Sequence, residues 1–131
     1  NLSILKEDED AYPRMKRHME SISELLIKAG EDHGIPMVVQ GIPNALTFHP
    51  SDHPVDSFEE WTNEHKMMAT IIRETSKRFG IQFCPLSRMY SNIMLNERDV
   101  EFFESRIGPA MAASKLEIDK TFDQFAQFGL R

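Results

Sequence analysis

The stretch Gly34-Ile35-Pro36-Met37-Val38-Val39-Gln40-Gly41-Ile42-Pro43-Asn44-Ala45-Leu46-Thr47-Phe48 decides the fold. Before it, apolar residues recur three and four apart. Inside it they come as two short runs, Met37-Val38-Val39 and Ala45-Leu46-Thr47-Phe48, parted by Gly41-Ile42-Pro43-Asn44. Short apolar runs bounded by glycine, proline and asparagine read as strands, and the punctuation between them as a turn. Two strands, Met37–Val39 and Ala45–Phe48, are expected here.

Upstream, Met15, Met19, Ile22, Leu26 and Ala29 mark one face of an amphipathic helix that starts near Tyr12. Pro13 suits its first turn, and Gly30 and Gly34 offer stops at its end. A short helix over Leu2 to Lys6 is expected before it. Downstream, His49 to Ser57 carries two prolines and no periodicity, and reads as an exposed loop. Asp56 or Ser57 can cap a second helix with the face Phe58, Trp61, Met68, Ile72 and Phe79, ended by Gly80. Two more strands follow, Ile81–Cys84 and Tyr90–Met94, around Pro85-Leu86-Ser87. Asn96 caps a last helical region with Glu97 and Asp99 in its first turn and Val100, Phe103 and Ile107 inward. Gly108-Pro109 is expected to break or kink it, and a second stretch runs through Leu116, Phe122 and Phe125.

The order α, β-β, α, β-β, α with short links predicts an α+β fold, a small antiparallel sheet with helices packed on one face. At 131 residues the chain has room for a single domain, 1–131. A formal charge of -6, with basic residues scattered among acids, argues against a nucleic-acid partner. The dense acidic run Glu7 to Asp10 reads as a solvated face. No apolar stretch approaches the ~20 residues that span a bilayer, so no membrane partner is expected. One cysteine, Cys84, forms no internal disulfide, which points to a reducing cytoplasm. The opening Asn1-Leu2-Ser3-Ile4-Leu5 reads as cut inside an element, so a piece of a longer protein is expected.

Three clusters carry candidate chemistry. His49-Pro50-Ser51-Asp52-His53 sets two histidines about an aspartate; a proline-interrupted loop rarely supplies convergent metal geometry, and a polar surface loop is the simpler reading. Cys84 has no evident base or cation beside it, and a free cysteine is usually a small buried hydrophobe. The turn Pro85-Leu86-Ser87-Arg88-Met89-Tyr90 offers more: a hydroxyl, a guanidinium and a phenol at a sheet edge can meet a carboxylate or phosphate. The eight methionines fall mostly at helical spacing and read as core filling.

In order and spacing these segments resemble the C-terminal small domain of class III pyridoxal-phosphate aminotransferases, the glutamate semialdehyde aminomutase branch most of all. Glu31-Asp32-His33-Gly34-Ile35-Pro36-Met37 is similar to the family's helix, Gly-Ile/Val-Pro and strand. Pro43-Asn44-Ala45-Leu46-Thr47-Phe48, the loop and Pro54-Val55 stand where the family has its Gly-Ser-Met-Phe-Thr strand, aromatic end, loop and Pro-Val. Gly80-Ile81, Pro85-Leu86-Ser87 and Asn96-Glu97-Arg98-Asp99-Val100 resemble its Gly-Val, its Pro-Ser and its closing Thr/Ser-Glu-x-Asp-Ile before a long helix. The resemblance runs roughly from Leu2 to Phe125. Pro43 replaces a family glycine, and Arg88-Met89-Tyr90 stands in place of a Phe-Glu pair, which leaves the substrate open among amines and amino acids.

The resemblance implies a fold-type I enzyme whose larger domain holds pyridoxal 5'-phosphate on a lysine, works as a homodimer, and leaves to this chain one wall of the substrate pocket. Asn44, Ser87, Arg88 and Tyr90 are the residues it assigns to that wall, with no catalytic or cofactor-binding group in this chain. Two other classes stay open at this point. One is a stand-alone α+β module that binds a ligand or partner; the other is a metal-dependent hydrolase built on His49 and His53.

Overall fold

The computed structural model describes residues 11–42, 45–52, 63–83, 88–90 and 97–127, with backbone alone at 11, 12, 42, 45 and 88–90. Helix α1 spans Ala11–Asp32. Met15, Met19, Leu26 and Ala29 are buried, and Ile22 packs half-buried against the same core. The three-four periodicity is therefore the inward face. Gly30 stays inside the helix and Gly34 ends it.

That end is specific. The Gly34 N–H donates to the Glu31 carbonyl at 3.3 Å and the Ile35 N–H to the Gly30 carbonyl at 2.7 Å, while Gly34 takes a φ of 74°. These two bonds about a left-handed residue form a Schellman end, and they seat Ile35, 1 % exposed, in the core. Helix α2, Asn63–Lys77, ends the same way. The Gly80 N–H reaches the Lys77 carbonyl at 3.1 Å and the Ile81 N–H the Ser76 carbonyl at 3.0 Å, with Gly80 at φ 83°. Ala69 and Ile72 are buried on α2, and Met68 and Phe79 pack half-buried beside them. The expected members Phe58 and Trp61, and the start of this helix before residue 63, lie outside the described residues, as does the helix expected over Leu2 to Lys6.

Strands β1 (Val38–Ile42), β2 (Ala45–His49) and β3 (Arg88–Tyr90) form an antiparallel sheet in the order β1-β2-β3. Val39 pairs with Phe48 and Gly41 with Leu46; this is the core face, where Phe48 is fully buried and Val39 and Leu46 are half-buried. The Phe48 and Phe83 rings meet at 4.9 Å between centroids.

The strand expected at Ile81–Cys84 is not formed over its described part. Ile81 and Phe83 are buried and Gln82 is exposed, the alternation of a strand, yet residues 81–83 join no ladder. The Ile81 N–H is already held by the α2 cap, so burial rather than strand pairing produces the pattern. The strand expected at Tyr90–Met94 begins earlier, at Arg88; residues 91–94 lie outside the described set. The expected exposed loop from His49 is also corrected at its start: His49 closes β2, and Pro50 and Ser51 are fully buried.

Helix α3 runs unbroken over Glu97–Gln127 with Pro109 inside it. Of the break or kink expected at Gly108-Pro109, the break does not occur. Proline removes the N–H that the Ser105 carbonyl would accept, but Ser105 and Pro109 both lie on the exposed side, so the loss is not buried. Continuity also decides which residues face inward. Phe103, Ile107, Ala110, Met111, Ser114, Ile118 and Phe122 are buried. Leu116, expected in the stripe, is 72 % exposed, because nine residues past Ile107 is two and a half turns at 3.6 residues per turn. Ser114 is tolerated in the core because its hydroxyl donates to the Ala110 carbonyl at 2.8 Å.

The architecture is α+β, an antiparallel sheet with helices packed against it. α1 lies against β1 and α2 against β2, while α3 packs chiefly on α1 and α2 rather than on the sheet. Among the described residues no helix is long and apolar enough to cross a membrane.

Candidate functional site

Two of the residues singled out in the sequence, Arg88 and Tyr90, bound the strand that pairs with β2. Gln40, Thr47 and Arg88 form one rung across the three strands, and Ile42, Ala45 and Tyr90 another. Because side chains alternate along a strand, positions 88 and 90 share a face with Thr47 and Ala45. The core face holds Val39, Leu46 and Phe48 instead. Thr47 and Gln40 are half-buried.

Of the four expected wall residues, Arg88 and Tyr90 are thus brought beside the central strand. Asn44 and Ser87 lie outside the described residues. They adjoin in sequence the paired positions Ala45 and Arg88. Gln40 and Thr47 are the rung partners that sequence reading missed. Their two-residue alternation was legible, but the register that sets them beside Arg88 depends on pairing between segments some forty positions apart, and no local pattern reports it.

A second cluster lies at the other end of β2. His49 has its pKa lowered from the ordinary 6.5, first by burial and then by the neighbouring charge of His65. The ring Nδ1 atoms of both histidines are shielded from solvent. His65, in the first turn of α2, was not a candidate from sequence; only the packing of α2 on β2 brings it there. The other histidine expected in this cluster, His53, lies outside the described residues, and so does Cys84. No group of three or more His, Cys, Asp or Glu side chains converges as a metal would require, among the described residues.

The described lysines lie on the three helices. Lys28, Lys77 and Lys115 are ion-paired on helix surfaces to Asp32, Glu74 and Asp119 at 3.3, 3.2 and 3.0 Å. Lys16 and Lys120 are also exposed, and Lys66 is half-buried. No protein-family model matches the chain, and no curated protein is similar to it.

Proposed function

We propose that this chain is the C-terminal small domain of a class III pyridoxal-phosphate aminotransferase or aminomutase, a cytoplasmic homodimer in its intact form. Its share is one wall of the substrate pocket, from Asn44, Ser87, Arg88 and Tyr90, together with packing on a lysine-bearing large domain. The observation that carries the reading is the repeated exit Gly34-Ile35 and Gly80-Ile81. Each glycine closes a helix in the left-handed conformation and each isoleucine enters the core before the chain reaches a sheet strand. The helix, Gly-Ile, strand order is formed at the first exit, from Gly34-Ile35 into β1, while residues 81–83 after the second exit join no ladder; Glu97 opens a long closing helix, as in the resembling pattern.

In such an enzyme pyridoxal phosphate supplies the electron sink, and the large domain holds it. This chain's residues bind and orient the substrate and help exclude water on closure. A guanidinium at position 88 suits a substrate carboxylate, because two parallel hydrogen bonds fix both its charge and its plane.

The test is the reading frame upstream of Asn1. A large domain bearing the Schiff-base lysine, co-purifying with an internal-aldimine absorbance band, is the expected result. A reading frame that starts within a few residues of Asn1, with no such domain, overturns it and leaves the stand-alone module.

A further inference from the structure

The charge of this chain is unevenly placed. It carries 21 acidic and 15 basic residues, yet among the described residues one open groove of about 430 Å³ is lined by Arg14, Arg17, His18, Arg98 and one acid, Glu97. The other grooves differ. Glu20 and Glu24 line the one between α1 and the β1–β2 hairpin, and Glu74, Glu117 and Arg78 line the one between α2 and α3. Of these three grooves it is the one whose described lining holds more cations than acids.

Local geometry accounts for the concentration. Arg14, Arg17 and His18 stand three and four residues apart on α1, so they share one helix face. Arg98 comes from the first turn of α3, which packs against α1. The arginines therefore come from two different helices. The described lining residues are three arginines, a histidine and a glutamate, so the groove suits an anionic group. A planar carboxylate presents two oxygens in one plane, which one arginine can satisfy. A tetrahedral phosphoryl group presents oxygens in several directions and suits cations from two elements.

We propose that this groove binds a phosphoryl-bearing polyanion, with Arg17 and Arg98 gripping it from α1 and α3. Arg14, His18 and Arg98 also have interactions within the chain, and Glu97 and Asp99 stand in the same helix turn as Arg98. The ligand competes with these, which keeps the affinity modest. The site is independent of the pyridoxal-phosphate reading, since it lies on the helices and none of the wall residues takes part.

The experiment is a titration of the 131-residue chain with pyrophosphate at constant ionic strength, followed by amide and arginine side-chain NMR shifts. Saturable shifts at residues 14–18 and 97–99 are expected. Arg17→Gln and Arg98→Gln should each weaken binding roughly threefold to tenfold, the range for an exposed charge-assisted contact. Arg78→Gln, in a different groove, should leave binding unchanged. The shift map of the unaltered chain tests the location even if a variant folds poorly. Linear, unsaturable shifts, or an equal loss with Arg78→Gln, would show general charge attraction and overturn the site. Citrate binding as tightly as pyrophosphate would overturn the phosphoryl assignment.

Discussion

Gly34 and Gly80 hold the same left-handed backbone at the ends of α1 and α2, φ 74° and 83°, and differ in what stands beside them. A Cβ on Gly34 would meet the flexible Lys115 Cε at 3.5 Å, whereas one on Gly80 would lie 3.0 Å from Phe102 Cζ. Both Gly34→Ala and Gly80→Ala impose the left-handed penalty of about 1–2 kcal/mol. Gly80→Ala should be the more destabilising of the two, since Phe102 must also move. Urea midpoints of the two variants check the order; equal losses would mean that the Phe102 contact is relieved without cost.

A second prediction rests on the phase of α3. Leu116→Gln should change stability by no more than about 0.5 kcal/mol, as is usual for an exposed site. Ile118→Ala, two residues on and 2 % exposed, should cost about 2–5 kcal/mol by leaving a cavity. The comparison tests the continuity of the helix through Pro109. A helix broken there would re-phase the second half, and Leu116 would become the sensitive position.

These two cases show what was legible in the sequence. Apolar spacing marked the inward face of α1, and glycines marked the stops of α1 and α2, at Gly34 rather than Gly30 and at Gly80, because both signals are local. The two strands of the hairpin were likewise bounded by their own punctuation, to within a few residues of Val38–Ile42 and Ala45–His49. Leu116 falls outside the buried stripe because the helix keeps its phase through Pro109, which local residue patterns do not report. Ile81–Phe83 was misread because alternate burial looks the same whether or not a partner strand is present. For the candidate site, Arg88 and Tyr90 could be singled out by side-chain chemistry. Thr47, Gln40 and His65 could not, since each owes its place to contacts between distant segments.

The third prediction concerns pH. His49 has a folded-state pKa below the ordinary 6.5, so between those two values the unfolded chain binds more protons than the folded one. Stability then rises with pH in that window. The contribution is fully present above about 6.5, is lost as pH falls through the lowered folded-state pKa, and is flat below it. Denaturation midpoints taken from pH 7.5 down to 5.5, above the range where most carboxylates titrate, should decline. His49→Gln should flatten the decline. His65→Gln should lessen it, because burial is the larger cause and His65 the smaller. An unchanged slope in His49→Gln would assign the dependence to other groups.

The last prediction bears on Arg88, whose backbone partner is Thr47 on the central strand. Under the proposed function this position faces the substrate, and a guanidinium can take a carboxylate through two parallel hydrogen bonds where an ammonium is a point charge. The competing account is a surface ion pair, which would contribute only about 0–1 kcal/mol to stability. Arg88→Lys in the intact enzyme separates the two. As a substrate clamp, the change should lower kcat/KM for carboxylate-bearing substrates by roughly tenfold to a hundredfold, the scale of a lost charge-assisted bond. The same variant should act on a simple amine lacking the carboxylate at nearly the original rate, because the lost contact has no counterpart there. Its melting temperature should barely move. Equal losses on both substrates, or a lower melting temperature with unchanged kinetics, would remove Arg88 from substrate recognition and leave it a role in holding β3 against β2.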